Sequence, residues 1–128
     1  MAQRVVIKPE GVTASPYFSP AIRMGQLVFI SGQAAFDNQG NIVGVGDCSR
    51  QAEFVFERIK ALLEEAGASL GDVCKTTTFI TDPANYAAFN QVRSRYFPSN
   101  PPASSTVVTN LLRPEMLLEV EAIAVIPG

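Results

Sequence analysis

The sequence predicts an α+β fold in which two helices pack on one face of a single mixed sheet of about six strands. The first observation is the order of the elements, which reads strand, hairpin, helix, strand, helix, strand, strand. The second is the length of 128 residues, which suits one domain with a real core and not two. Because only two helices are available, we expect another copy of the same sheet to cover its second face.

The closing stretch, residues 117–126, is the strand around which the sheet is predicted to form. It alternates with period two, and it is apolar on one side throughout and on most of the other, as is typical of a central strand. The exceptions are Glu119 and Glu121, which share the second side. From the pattern alone, the simpler interpretation is that this end of the strand reaches water and that both carboxylates are solvated.

The N-terminal part is predicted to begin with a strand at residues 4–7, followed by a loop from Lys8 to Phe18 that is rich in proline and glycine. Tyr17 lies in this loop. An aromatic phenol on a loop is a candidate binding group, although a tyrosine that covers the edge of the core is the commoner case.

A hairpin is predicted over residues 21–31, with its turn at residues 24–26. Its second strand, Leu27 to Ile30, is continuously apolar and is therefore predicted to be buried. The pair Ser31-Gly32 follows this strand. Such a pair can present a hydroxyl and backbone N–H groups to a ligand, or it can form a bulge where two backbones approach closely.

Two segments have helical periodicity. The first begins at Asp47 or Ser49, either of which could cap it, and runs to Ala66, with Gly67 as the residue that ends it. We interpret this helix as scaffold with a solvated charged face.

The second helix begins at Asp82-Pro83, after a strand over residues 72–81, and runs to about Phe97. Asn90 and Arg93 are polar residues in its otherwise aromatic stripe, and a bond from Asn90 to a nearby loop is the simplest role for the former. A strand over residues 104–109 comes before the closing strand.

The composition limits the classes of function. Apolar residues make up 47% of the chain and charged residues 17%, which favours a homo-oligomer that buries apolar surface between subunits. The net charge of −2 at pH 7 gives no electrostatic reason to expect nucleic acid or an anionic membrane as a partner. The two cysteines, Cys48 and Cys74, are interpreted as buried thiols of a cytoplasmic protein rather than as a disulfide.

The sequence contains no histidine, which excludes a Ser-His-Asp triad, a Cys-His pair and a His-ligated zinc site. It also contains no Cys-x-x-Cys pair, no Walker loop and no Gly-x-Gly-x-x-Gly motif. Any acid–base catalysis therefore depends on Glu, Asp, Tyr, Lys or water.

Several of these signals occur together in a known family. Ser15-Pro16-Tyr17 is followed by Phe-Ile-Ser-Gly-Gln at residues 29–33 and by Lys-Thr-Thr-Thr-Phe at residues 75–79. Pro102-Ala103 precedes a strand, and Glu-Val-Glu-Ala-Ile-Ala-Val closes the chain at residues 119–125. Over essentially its whole length, the chain resembles the Rid family of reactive-intermediate imine deaminases, also called the YjgF/YER057c/UK114 family.

The resemblance implies a chorismate-mutase-like fold, a homotrimer whose sheets form a central barrel, and ligand clefts between subunits. It also implies that imines or enamines released by pyridoxal-phosphate enzymes are hydrolysed to a 2-keto acid and ammonia, without a cofactor. The family's water-activating carboxylate falls on Glu119, whereas Glu121 keeps its interpretation as a solvated group. The family's substrate-binding positions fall on Tyr17, Ser31, Gly32 and Asn90.

One position departs from the pattern of the imine deaminases. In that branch Pro-Ala is followed by Arg-Ser, and the arginine binds the substrate carboxylate, whereas here Pro102-Ala103 is followed by Ser104-Ser105-Thr106. Ser104 and Thr106 are thus substrate-site residues by position, but a serine cannot form the bidentate, charge-assisted pair of an arginine. We therefore expect a substrate that differs from the 2-imino acids.

Three other arginines are candidates to replace the missing one. Arg93 is the best placed, because it shares a helical stripe with Asn90; Arg23 is a further candidate, and Arg113 looks remote. Two hypotheses of function remain. The first is a small-molecule hydrolase that deaminates an imine, an enamine or a related metabolite, and the second is a non-catalytic module that binds a metabolite in the same cleft.

Overall fold

The computed structural model describes residues 3–10 and 15–128. The loop predicted from Lys8 to Phe18 therefore lies partly outside the described residues. One six-stranded mixed sheet carries two helices, which confirms the predicted fold class. The strands are Arg4–Ile7 (β1), Ala21–Met24 (β2), Leu27–Gln33 (β3), Val73–Ile80 (β4), Ala103–Val108 (β5) and Leu118–Val125 (β6), and the helices are Cys48–Glu65 (α1) and Tyr86–Tyr96 (α2).

The closing strand lies at the centre of the sheet, as predicted. The strand order is β1-β2-β3-β6-β4-β5, and β6 runs antiparallel to both of its neighbours. β5 is the outer strand on one side and runs parallel to β4. Glu119 on β6 pairs with Phe79 on β4, and Phe79 in turn pairs with Val107 on β5.

Both end signals of the first helix are confirmed. Asp47, and not Ser49, is the N-cap, because its carboxylate accepts a hydrogen bond from the N–H of Arg50 at 3.1 Å. At the other end Gly67 adopts a φ of 85°, the left-handed conformation that only glycine takes without strain.

The core lies between the two helices and one face of the sheet. Phe56 of α1 is fully buried, and its ring centroid lies 5.7 Å from that of Phe89 on α2 and 5.9 Å from that of Phe97. From the sheet, alternate residues of β3 and β6 point into the same layer, and each buried aliphatic side chain contributes about 1.5–3 kcal/mol. This packing holds α2 against α1.

A buried glutamine holds the chain just ahead of β6. The side-chain N–H groups of Gln51 donate to the carbonyls of Gly44 at 3.1 Å and of Glu115 at 2.9 Å, and its side-chain oxygen accepts from the N–H of Leu117 at 2.9 Å. Gln51 is fully buried, so these bonds satisfy the polar atoms of its own side chain, which water cannot reach. They set the position at which β6 begins and therefore the position of Glu119.

The second face of the sheet carries no helix among the described residues. Val28 and Ile30 point to the helices and are buried, whereas Leu27 and Phe29 point to the open face and are 40% and 42% exposed. The prediction that Leu27 to Ile30 is buried as a run is thus wrong for a single chain, because the helices cover one side of the pleat only. The open apolar face consists of Leu27, Phe29, Ile123 and Val125.

The two cysteines differ in environment. Cys48 is buried and Cys74 is exposed, and both are free thiols. The interpretation of Cys74 as buried is wrong, because a register shift between Val73 and Lys75 turns it out of the sheet. Across the described ranges, no helix has the length and apolar character needed to cross a membrane.

Candidate functional site

β3 carries a bulge at the Ser31-Gly32 pair. The pairing with β6 is regular as far as Ile30 opposite Ala122, and it resumes with Gln33 opposite Val120. Two residues of β3 therefore stand against one residue of β6, which is the definition of a β-bulge. Bulges bend a strand and change the direction of nearby side chains, and this one lies beside the start of β6.

The carboxyl group of Glu119 lies directly over the backbone of Gly32. A Cβ atom placed on Gly32 would be 2.8 Å from Cδ of Glu119 and 3.0 Å from its Oε1. No side chain except hydrogen leaves room for the carboxyl group at this point. The structure thus brings together two of the predicted site residues that are 87 positions apart in the sequence.

Ser31 forms hydrogen bonds to the segment that leads into β2. Its hydroxyl donates to the carbonyl of Ser19 at 2.6 Å, and its backbone N–H donates to the carbonyl of Pro20 at 3.0 Å. The hydroxyl hydrogen is thus used within the protein, and the oxygen keeps its ability to accept. Ser31 therefore fixes the position of Ser19 and Pro20.

A cleft of about 580 Å³ opens beside the bulge, and Glu119 and Gly32 form part of its wall. It lies where the bulge, the turn that follows β3 and the segment ahead of β6 meet. A volume of this size accommodates a small metabolite. The other lining residues are Phe18, Pro20, Gln33, Ala34, Phe36, Asp37, Asn38, Gln39, Gly40, Arg58, Leu112, Arg113 and Met116.

The position of Glu119 changes its acidity. Burial raises the pKa of its carboxyl group above the ordinary value for glutamate, and the nearby charge of Glu121 adds to this effect. Glu121 itself is exposed, in agreement with its interpretation as a solvated group. A carboxylate with a raised pKa is a stronger base than a solvated one, which suits proton transfer near neutral pH.

Two arginines enter the same cleft: Arg58, which the sequence interpretation did not consider, and Arg113, which it judged remote. Arg58 on α1 donates to the carbonyl of Phe36 at 3.2 Å, and burial lowers the pKa of its guanidinium group. Arg113 donates to the carbonyl of Gly40 and forms an ion pair with Glu115 at 3.1 Å. Arg113 is absent from the cleft that Ser104 lines, but it reaches the Glu119 cleft, because the segment ahead of β6 folds back over it.

Tyr17 does not enter the cleft of a single chain. Its side chain is 90% exposed, so it does not cover the edge of the core either. Its neighbour Phe18 lines the cleft instead. The predicted role of Tyr17 in binding therefore requires a surface that one chain does not supply.

A second group of polar residues lies between α2 and β5. Tyr86, Asn90 and Arg93 project from one side of the helix over Ser104 and Thr106 of the strand, and we call these five residues the Arg93 cluster. Nη1 of Arg93 donates to Oγ of Ser104 at 3.1 Å, and Nη2 donates to the hydroxyl of Tyr86 at 3.2 Å and to Oδ1 of Asn90. Asn90 thus bonds to Arg93 rather than to a loop backbone.

The Arg93 cluster borders a cleft of about 420 Å³ whose wall includes Asn90, Arg93 and Ser104. Hydrogen bonds from Asn90, Arg93 and Thr106 lower the pKa of the Tyr86 phenol. Ser104 also accepts a hydrogen bond from the hydroxyl of Thr76 at 3.1 Å. The cleft therefore combines one cation with several neutral hydrogen-bonding groups.

The two groups of site residues point to opposite faces of the sheet. Ser104 and Thr106 pair with Thr76 and Thr78, which are buried beneath the helices. Glu119 alternates with buried residues of β6 and therefore points to the helix-free face. One chain thus holds two separate clefts, one with the carboxylate and one with the Arg93 cluster.

Arg23 serves the fold instead of either cleft. Its guanidinium donates to the carbonyl of Ala66 at 2.7 Å and to that of Gly25 at 2.9 Å, which satisfies the end of α1. Among residues 3–10 and 15–128, no three His, Cys, Asp or Glu side chains are grouped so as to hold a metal ion.

Comparisons with known proteins agree on sequence and fold. A family model described as Endoribonuclease L-PSP matches residues 10–126. A RutC family protein of Pyrococcus abyssi is 39% identical over 124 residues, which cover 97% of this chain and 98% of that protein. Yeast Mmf1 superposes with a TM-score of 0.89 at 31% identity, over 98% of this chain and 100% of that one. RidA from the Antarctic bacterium Psychrobacter superposes with a TM-score of 0.86 at 34% identity, over 95% and 99% of the two chains.

Proposed function

The chain belongs to the Rid (YjgF/YER057c/UK114) family, and from this premise we propose that it is a small-molecule hydrolase that removes ammonia from a reactive imine or enamine. The observation that carries the proposal is the carboxyl group of Glu119. It is partly buried, it rests against Gly32, and its raised pKa makes it a base in a cleft large enough for a metabolite.

The chemistry needs one water molecule and one base. Glu119 accepts a proton from water as the water oxygen attacks the imine carbon and the C=N double bond becomes a single bond. The proton then passes to the nitrogen, which gives the carbinolamine. Glu119 next takes the proton of the carbinolamine hydroxyl and returns it to the nitrogen, so that the C–N bond breaks, a C=O bond forms and ammonia leaves. Imines are reactive electrophiles, so positioning and general-base help are sufficient, and the base contributes a factor of about 10²–10⁴.

The proposal includes a homotrimer. The open face formed by Leu27, Phe29, Ile123 and Val125 is apolar and lies in the middle of the sheet, where a second copy would remove it from water. The six residues of β5 are all exposed at the edge of the sheet. Contact between copies along these surfaces would bring the Arg93 cluster of one subunit to the Glu119 cleft of the next, and would give Tyr17 a partner surface.

We also propose that the substrate differs from the 2-imino acids. Hydrogen bonds to charged groups contribute roughly 1.5–3 kcal/mol each, so the loss of an arginine at position 104 would weaken transition-state binding by a factor of about 10²–10⁴. A cation that reaches the pocket from another element would hold an anionic group at a different point. The reacting carbon would then lie differently with respect to Glu119.

The test uses imines generated in situ, either with a carboxylate by an amino-acid oxidase or without one by an amine oxidase. We expect the wild type to accelerate hydrolysis of the imine without a carboxylate more than that of the 2-imino acid, and Glu119→Gln to lower the faster rate by about 10²–10⁴ while the variant stays folded and trimeric. Full activity of Glu119→Gln would remove this residue from the mechanism. A ligand that raises the Tm of an inactive wild type without being consumed would favour the binding module instead.

A further inference from the structure

Within one chain, Arg93 carries a positive charge that no carboxylate of the described residues neutralises. The ion pairs in that part of the chain are Arg95 with Glu53 and Arg113 with Glu115. The hydrogen-bond partners of the Arg93 side chain in the described part of the chain are all neutral: the hydroxyls of Ser104 and Tyr86 and the amide oxygen of Asn90. A guanidinium group normally pairs with an anion when one can reach it.

We propose that the cleft at the Arg93 cluster binds the carboxylate, or a similar small oxyanion, of a ligand, with Arg93 as its cation. The proposal rests on the proposed function only for its link to catalysis, because binding can be measured without turnover. It assigns to α2 the anion recognition that the sequence of β5 lacks.

The donors needed for an anion are available in this cleft. A guanidinium group has five N–H donors, and three hydrogen bonds from Arg93 are found among the described residues. Ser104 Oγ accepts from both Arg93 and Thr76, so its own O–H hydrogen can point to a ligand. A small side chain at position 104 also leaves the space beside the guanidinium open.

The guanidinium group is held in a fixed orientation. Its central carbon lies 5.0 Å from the ring centroid of Phe89, which is fully buried, and 5.9 Å from that of Tyr86. Two aromatic rings and three hydrogen bonds therefore restrict the side chain before any ligand arrives. A group that is ordered in advance loses less conformational entropy when it binds.

Arg95, on the same helix, provides a comparison with an arginine that has a structural role. Both residues lie in the last turn of α2, where a cation interacts favourably with the helix dipole. Arg95 pairs with the carboxylate of Glu53 at 3.3 Å on the surface, whereas Arg93 turns towards a cleft. Helix-end stabilisation applies equally to the two, so it does not explain the neutral surroundings of Arg93.

The experiment measures the affinity of the assembled protein for pyruvate and for pyruvamide, its neutral analogue, by isothermal titration calorimetry. We expect the wild type to bind pyruvate more tightly than pyruvamide. Arg93→Gln should lower the affinity for pyruvate by about tenfold to a hundredfold and leave the affinity for pyruvamide unchanged. Arg95→Gln is the matched control and should change neither affinity. Arg93→Lys, which keeps the charge, should retain part of the pyruvate affinity.

A double variant tests whether the positive charge matters or the residue position that carries it. Ser104→Arg alone would place two guanidinium groups in contact, so the variant is Arg93→Gln with Ser104→Arg, and it should recover the preference for pyruvate. The proposal is overturned if the wild type does not bind pyruvate, if Arg93→Gln binds it unchanged, or if that variant loses both ligands equally. If pyruvate binding depends on Arg93 but the protein has no hydrolase activity, this inference is supported and the proposed function is refuted.

Discussion

Replacement of Gly32 by alanine moves the Glu119 carboxyl group without removing it. The Cβ of the new residue would be 2.8 Å from Cδ of Glu119, whereas ordinary contacts begin at 3.4 Å, so the carboxyl group has to retreat by about 0.6 Å. Gly32 is not among the glycines with positive φ, so alanine brings no backbone strain. The displaced atoms are the end of a flexible side chain, and we therefore expect little loss of folding stability.

The effect on catalysis follows from this displacement. A misplacement of about 1 Å can lower a rate by roughly a hundredfold, so a shift of about 0.6 Å should lower kcat by about ten- to a hundredfold. The loss should be smaller than that of Glu119→Gln, which removes the base. Gly32→Ala in the Glu119→Gln background should have no further effect, because the group it displaces is then already inactive.

The assay is the rate of imine hydrolysis at saturating substrate, compared for the four members of this double-mutant cycle. Gly71→Ala is the matched control, because a Cβ there would meet its nearest neighbour, the hydroxyl of Ser69, at an ordinary distance of 3.7 Å. Wild-type activity of Gly32→Ala would refute the idea that the carboxyl group works from its place over Gly32. A loss that adds fully to that of Glu119→Gln would show that the bulge acts in another way.

Two further predictions concern stability and assembly. Because the pKa of Glu119 is raised in the folded state, its contribution to stability is full below the ordinary pKa of glutamate, about 4.3, and is lost as the pH rises through the raised value. Glu119→Gln should therefore be more stable than the wild type in urea unfolding at pH 7, and this advantage should disappear at pH 4. Equal stabilities of the two proteins at pH 7 would contradict this prediction. Ile123→Asp puts a charge on the open apolar face, so we expect light scattering to find this variant as a monomer. Val45→Asp, which changes an exposed loop, is the control and should leave the assembly intact. Trimers of Ile123→Asp would contradict the proposed assembly.

The elements that could be predicted from the sequence are those whose signals are local. The cap at Asp47 and the stop at Gly67 bound a helix with a regular apolar stripe, and the alternation in residues 117–126 marks the central strand. In each case propensity, periodicity and end residues agree, and such agreement is what makes a sequence specify one structure. The structure therefore differs from the prediction by only one or two residues at the ends of these elements.

The features that could not be predicted depend on packing between distant segments. The exposure of Leu27 and Phe29 follows from which sheet face the helices cover, and the exposure of Cys74 follows from a shift in pairing with β6. Arg58 lies on a helix whose charges look solvated, and only the turn after β3 brings the cleft to it. No local pattern contains this information, because it arises when separate elements meet.

The Arg93 cluster shows that a charge missing from a motif position can lie on a neighbouring element. Read by position, Ser104 implies that the anion-binding group is absent. In three dimensions the Arg93 side chain reaches the hydroxyl of Ser104 from α2, so a guanidinium group lies beside the position where the motif would place one. An arginine side chain is long enough to carry its charge from one element to a neighbouring one, so what recognition requires is the location of the charge and not the strand that supplies it.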